Sequence, residues 1–354
     1  MTEHDHSQQL QATVQQAFDE RTPLDIQGGN SKSFYGRSIA AAPLKLDAHH
    51  GIINYQATEL VITARAGTKL SDIEKALDAQ QQMLPFEPPH FGPGATLGGT
   101  IATGLAGPRR PYSGAVRDFV LGIKLINGKG EIMHFGGEVM KNVAGYDVSR
   151  LMAGAMGTLG VLLEISLKVL PKPVYEQTLV QTITAEKAQA KLIGLQQQAF
   201  PLSAAMHDGE QLFLRLSGTL QAVQTAQQQI GGDELPDAEQ HWLKLREHEH
   251  AFFANEIPLW RLSMPANAPL NAFDGKMLMD WGGAQRWLKT ETAAGPIQDK
   301  AAAAGGHATL FRGGNRRDDV FQPLTGRLKQ LHLDLKLAFD PNCILNPARM
   351  YSDF

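Results

Sequence analysis

The chain has 354 residues, a length that fits about two domains. Its 33 basic and 36 acidic residues leave a net charge of −3, too balanced for a general nucleic-acid or anionic-membrane binder. The single cysteine, Cys343, excludes an internal disulfide, a cysteine-built zinc site and an iron–sulfur cluster, so electron chemistry here requires an organic cofactor and an outside acceptor.

The N-terminal MTEHDHSQQL is polar, without the basic start and apolar core of a signal peptide. No apolar run approaches the roughly 20 residues of a membrane helix, so direct membrane insertion is not expected and the cytoplasm is the expected location. Residues 7–20 read as an amphipathic helix with Leu10, Val14, Ala17 and Phe18 on one face. PLDIQ is a short strand running into GGNSKSFYG; ELVITAR alternates as a strand, and GTKLSDIEKALDAQ is a helix with Ser71 as its expected cap. These elements predict a small α/β lobe to about Met83.

The 35 glycines concentrate between Gly92 and Gly160, which signals backbone in unusual conformations or in close approach to something else. In that region DFVLGIKLI and EIMHF are strands joined at NGKG, DVSRLMAGA is a short helix, and GVLLEISLKVLP is a strand ended by Pro171. PKPVYEQ reads as the entry to a second domain. Strand, helix (AEKAQAKLIGLQQQ), strand (QLFLRLSG) and helix (LQAVQTAQQQI) follow, the order of half a ferredoxin-like sandwich. WRLSMP, KMLMDW and HATLFR add strands, with a helix expected near 285–304, and PLTGRLKQLHLDLKLAFD is helical before PNCILNPARMY. The fold class is therefore α+β, divided as 1–172, a ferredoxin-like α+β sandwich over 173–320, and a C-terminal helix and segment, 321–354, returning to the first domain.

Several chemistries are absent. GPGATLGG has neither the spacing nor the preceding strand of a dinucleotide fingerprint, no phosphate-binding P-loop occurs, and the twelve histidines are scattered, so no metal site is expected. Gly28-Gly29-Asn30-Ser31 follows a strand and would let amide groups converge on an anion, or form a simple turn. The small residues of PGATLGGTIATGLAG, from Pro93 to Gly107, leave room for a flat, bulky ligand against backbone, or allow tight packing of an extended segment. Arg109, Arg110 and Arg117 suit a phosphate, a carboxylate substrate or an acidic partner; a solvated face is the plain alternative. Lys141 and Asn142, then GTLGV, complete a second glycine-controlled turn.

The ordered motifs GGNSK, PGATLGGTIATGLAG, RPYSGAVRDFVLG, KNVAGYDVSRLMAGAMGTLGVLLEISLKVLP and FDPNCILNPARMY resemble the p-cresol methylhydroxylase/vanillyl-alcohol oxidase-type FAD-binding family. With GLAGPRRP, FGGEVMKNVAGYD, WGGAQRWLK and AGGHAT, the chain is similar over nearly its whole length to the FAD-binding subunits of bacterial glycolate oxidase, the GlcE type. The resemblance implies a two-lobed FAD domain over 1–172 and a cap or interface domain after it. It implies that Gly28, Gly29, Asn30, Ser31 and Lys32 form the pyrophosphate loop. Pro93, Thr96, Gly98, Gly99, Thr100 and Thr103 would line the pyrophosphate and flavin. Gly157 and Val161 would lie further along the cofactor, and Asn346 and Arg349 would return toward the flavin edge. Asn30-Ser31 stands where members with covalent flavin often carry histidine, which implies non-covalent FAD.

The implied activity is oxidation of glycolate, a small 2-hydroxyacid, to glyoxylate. Electrons would pass through flavin to an iron–sulfur subunit in a complex that also holds a sister FAD subunit and meets the inner face of the cell membrane through its partners. Related D-2-hydroxyacid dehydrogenases carry a histidine pair and a G-H-G-D-G-N-type run, whereas GGHATLFRGGN offers only His307. Reliance on the sister for substrate oxidation follows. Two alternatives stand beside it: a self-contained dehydrogenase, with Arg109, Arg110 or Arg117 on the carboxylate and His307 as a lone base, and a non-catalytic scaffold.

Overall fold

The first 170 residues build a five-stranded sheet, two two-stranded pairs and a set of short helices. The computed structural model describes residues 4–137 and 147–354, so Lys141 and Asn142 lie outside the described residues. Helix α1 (Ser7–Glu20) buries Leu10, Val14 and Ala17, the face expected from its periodicity. Strands β1 (Leu24–Gln27) and β2 (Ala42–Lys45) form a parallel pair. After β3 (Ile52–Gln56) and β4 (Val61–Arg65), α2 (Leu70–Asp78) buries Leu70, Ile73 and Leu77. Its cap position is Lys69, with no side-chain cap, and Ser71 falls inside the first turn instead of ahead of it.

A short β5 (Gln82–Met83) precedes α3 (Leu97–Thr103), α4 (Arg110–Ser113) and α5 (Val116–Phe119). Strands β6 (Val120–Ile126) and β7 (Ile132–Gly136), helix α6 (Val148–Leu151), and strands β8 (Val161–Lys168) and β9 (Leu170–Pro171) complete the lobe. The sheet order is β3-β4-β8-β6-β7 with every neighbour antiparallel. β8 sits at its centre, and six of its eight residues are buried, which is why VLLEISLK shows little polar alternation. Pro171, which has no amide to donate to a ladder, sits in β9 against Gln82.

The second lobe starts with β10 (Tyr175–Thr182), α7 (Ala185–Gln196), β11 (Leu202–His207), β12 (Gln211–Gly218), α8 (Leu220–Ile230) and β13 (Asp233–Glu234). The spatial order β13-β10-β12-β11 makes this a ferredoxin-like unit in full. After α9 (Ala238–Arg246) come β14 (Leu259–Ser263), β15 (Lys276–Asp280), β16 (Gln285–Lys289), α10 (Ala294–Ala303) and β17 (His307–Arg312). Their order, β15-β16-β14-β17, repeats the arrangement with a loop in place of the first helix. The two units join edge to edge into one eight-stranded sheet through a single pairing, His207 with Met279.

The helix expected near 285–304 exists only from Ala294. Gly282, at φ +65, reverses the chain so that Gln285 pairs with Asp280, and all five residues of β16 are buried in the ladder. α9 has no strong periodic signal: only Trp242 and Leu245 are buried in a charged segment.

Helix α11 (Gly326–Phe339) brings the C-terminus back to the first lobe. Lys336 and Asp340 form an ion pair whose side chains are 1% and 0% exposed. The ammonium also donates to the carbonyls of Thr158 and Leu345, and the carboxylate accepts from the amides of Ile344 and Leu345. With its remaining donors and acceptors filled, a pair this deep is tolerated, and Leu345 bridges to Leu24 beside β1.

Candidate cofactor cleft

Where β1 ends, the chain turns through Gly28, Gly29 and Asn30, the last in the left-handed region at φ +56. A Cβ on Gly29 would fall 1.4 Å from the carbonyl oxygen of Gly94, and one on Gly28 would fall 2.4 Å from Oγ1 of Thr96. The turn therefore rests directly on the segment that leads into α3. Thr96 caps that helix by accepting from the Gly99 amide, and Gly104 ends it at φ +61. The middle of the small-residue run is thus helical despite two glycines, unlike the extended segment offered as the alternative to a ligand-holding loop.

The two loops differ in what their amides do. Those of Leu97, Gly98 and Gly99 donate to the Thr68 carbonyl, the Ala66 carbonyl and Thr96 Oγ1. Among the described residues, the N–H groups from Gly28 through Lys32 have no protein acceptor. Backbone donors are almost always satisfied by something, and a run of free amides makes an anion-binding concavity.

The buried Lys32 ammonium stands beside them, 3.2 Å from the His90 carbonyl and 3.4 Å from Ser31 Oγ. Burial pushes its pKa down to about 8, against the partly offsetting charge of Glu247. It stays protonated at neutral pH.

Leu46, Ala66, Ala102 and Leu162 supply an apolar floor. The cleft encloses about 970 Å³ of space, open solvent at its mouth included. Asn346 closes one end: Oδ1 accepts from the Ile26 amide and Nδ2 donates to the Met156 carbonyl, both at 2.7 Å. Asn346→Ala is expected to cost about 2 kcal/mol in urea unfolding, because it strands two buried backbone groups.

The expected cofactor residues mostly converge. Gly28, Gly29, Asn30, Ser31 and Lys32 form one wall; Thr96, Gly98, Gly99 and Thr103 face them; Gly157, Asn346 and Arg349 lie at the closed end. Pro93 is exposed and outside the lining, while Thr100 and Val161 are buried behind it. Oγ1 of Thr100 has no hydrogen-bond partner. The floor residues Leu46, Ala66 and Leu162 carry no sequence signal of their own, being apolar like any core position.

The residues singled out for catalysis do not join the cleft. Arg109 is tied to Glu87 and Glu176, Arg117 is exposed, and His307 is exposed at the start of β17. Arg110 lies over the Trp281 ring at 4.5 Å, its pKa lowered by burial and by the charges of Arg117 and Arg261.

Comparison with known proteins decides the family. Over 353 residues the chain is 49% identical to glycolate oxidase subunit GlcE of Escherichia coli (strain K12), covering 100% of this chain and 99% of that one. The chain belongs to the GlcE family of glycolate oxidase subunits. Residues 3–136 match the FAD binding domain family, so the Gly28–Lys32 wall and the α3 wall both lie in that domain. Glycolate oxidase subunit GlcD of Bacillus subtilis (strain 168) is 30% identical over 46% of this chain and 35% of its own. A D-lactate dehydrogenase of Anaerostipes hadrus is also 30% identical, over 49% and 36%.

The chain is thus homologous to FAD-dependent 2-hydroxyacid oxidoreductases. Substrate-bound p-cresol methylhydroxylase superposes with a TM-score of 0.74 at 15% identity, covering 98% of this chain and 88% of that one. This places the α+β architecture in the expected fold family. Among the described residues no helix is long and apolar enough to cross a membrane.

Proposed function

We propose that this chain is the FAD-holding subunit of a complex that oxidises glycolate to glyoxylate, with FAD bound non-covalently. The observation that carries the reading is the wall of free amides from Gly28 to Lys32, facing Thr96, Gly98, Gly99 and Thr103 across one cleft. Those amides and the Lys32 ammonium would hold the pyrophosphate. Thr96, Gly98, Gly99 and Thr103 would flank it at close range, and Gly157 with Asn346 would bound the far end. Pro93, Thr100 and Val161 would act from the rim and from behind the lining. When bound, FAD accepts a hydride equivalent and releases electrons singly.

The residues' own work is to bind, orient and screen the cofactor. A side chain at Gly28, Gly29 or Gly98 would strike the neighbouring segment, a Cβ on Gly98 coming within 2.8 Å of Ala66 Cβ, and so would force the walls of the cleft apart. Among the described residues no histidine lines the cleft, in keeping with Asn30-Ser31 standing where members with covalent flavin often carry histidine. One cysteine leaves the next electron carrier to an iron–sulfur partner, beside a sister FAD subunit, on the cytoplasmic side of the membrane. A scaffold without cofactor has no use for such a cradle.

The visible absorption spectrum of the chain purified alone is the test. Flavin bands that leave with the supernatant on acid denaturation are expected. A colourless chain that stays colourless with added FAD would overturn the reading, and flavin retained in the acid pellet would overturn its non-covalent part.

A further inference from the structure

Helix α11 buries one of its 14 residues, and that residue is Lys336. Among the described residues only Phe339 of this helix packs against a hydrophobic core, while Leu328, Leu331 and Leu337 are each more than half exposed. What ties the helix to the first lobe is therefore largely polar.

The Lys336 ammonium has three donors and uses all of them. One goes to the Asp340 carboxylate at 2.6 Å, and the others to the carbonyls of Thr158 and Leu345, both at 2.8 Å. Each carbonyl lies one residue from the closed end of the cofactor cleft: Gly157 precedes Thr158, and Asn346 follows Leu345.

The turn before Thr158 is poorly suited to hold itself. The Thr158 amide donates to the Ala155 carbonyl at 2.9 Å, and the two residues between, Met156 and Gly157, have φ of +54 and +71. Positive φ at both central positions is the pattern of a type I′ turn, which asparagine and glycine favour and a methionine, with its Cβ, does not. Three outside bonds keep the turn in place. The Met156 amide donates to the Ala102 carbonyl of α3, Asn346 Nδ2 to the Met156 carbonyl, and Lys336 to the Thr158 carbonyl. Among the described residues the Gly157 amide has no protein acceptor, so the fixed turn keeps an unused donor at the cleft wall.

A buried charge is a poor fastener for a helix, since exchanging such a pair for apolar residues of similar volume is often neutral or stabilising. A methionine at 336 could pack as the lysine stem does, but it could hold neither carbonyl. We propose that Lys336 is a positioning residue for FAD. Through the Thr158 and Leu345 carbonyls it fixes Gly157 and Asn346 against each other, and so sets how firmly the closed end of the cleft holds a cofactor it does not itself touch. This rests on the FAD reading above.

The test is the rate at which flavin leaves the flavin-loaded chain after dilution, read as rising free-FAD fluorescence. The visible circular dichroism of the bound flavin is recorded beforehand. Lys336→Met is expected to release flavin at least about tenfold faster than wild type and to alter the dichroism bands. Leu192→Ala truncates a buried core residue of α7 in the second lobe. It is expected to lose stability, yet to release flavin within about twofold of the wild-type rate and to leave the bands unchanged. Lys336→Gln, neutral but still a donor, is expected to fall between the two, and it carries the comparison if the methionine variant does not fold. On an Asn346→Ala background Lys336→Met is expected to add less than about threefold, because both act on one turn.

Wild-type release and unchanged bands in Lys336→Met overturn the proposal while leaving the flavoprotein reading intact. Equal effects of Leu192→Ala and Lys336→Met overturn it too, since lost stability would then account for the release. Full additivity with Asn346→Ala overturns the assigned route through the turn. A wild-type chain that stays colourless with added FAD sinks the flavoprotein reading and this one with it, and that result is seen before any variant is made.

Discussion

Gly29→Ala is expected to yield a chain that purifies without flavin and unfolds with about 3 kcal/mol or more less stability. The new methyl carbon would sit 1.4 Å from the Gly94 carbonyl oxygen, and a backbone atom cannot rotate aside as a side-chain tip does. The turn after β1 and the segment before α3 must separate, which pulls the amide wall away from the wall formed by Thr96, Gly98 and Gly99. The matched control is Gly194→Ala in α7, where nothing lies within 4 Å of the added carbon. In a helix interior that exchange is worth roughly 0.5–1 kcal/mol in the stabilising direction. Flavin released by acid and urea midpoints measured on both variants check the pair. Wild-type flavin content in Gly29→Ala would mean that the cofactor does not lie between these loops.

What the sequence disclosed here was mostly local. The glycine turn after β1, the small-residue run before and within α3, and the strand–helix order of the first ferredoxin-like unit could all be read directly. Each depends on residues adjacent in the chain. The second such unit was missed because a loop replaces its first helix and because β16 owes its conformation to its pairing with Asp280 across the Gly282 turn. The same limit applies to charge. Three arginines close in sequence suggested one anion site, yet the fold sends Arg109 into an ion network, Arg110 onto Trp281 and Arg117 to solvent.

Arg109 shows what that charge does instead, and the expected result of Glu87→Gln follows from it. Glu87 in the first lobe accepts from Arg109 Nε at 3.0 Å and from Arg215 Nη2 of β12 at 2.8 Å. Glu176 of β10 completes the group through Arg109. The arginine side chains are 8% and 7% exposed and that of Glu87 17%, so this cluster clasps the two lobes largely out of water. Neutralising Glu87 leaves two buried cations sharing the more exposed Glu176, and losing one partner of a buried pair costs about 3–5 kcal/mol.

Its pH dependence has a definite sign. Burial alone would raise the Glu87 carboxyl, but the Arg215 and Arg109 charges outweigh it and hold the group below its ordinary 4.5. A depressed folded-state pKa gives stability that is fully present above the unfolded value and is lost as pH falls through the folded one. Wild type and Glu87→Gln should therefore differ most at neutral pH and converge well below pH 4.5, as protonation turns Glu87 into a neutral group like the amide. Urea unfolding at pH 7 and across the acid range checks both statements. A gap of less than about 1 kcal/mol at pH 7 would mean that the clasp behaves as an exposed ion pair does, and a gap that widened in acid would contradict the assigned sign.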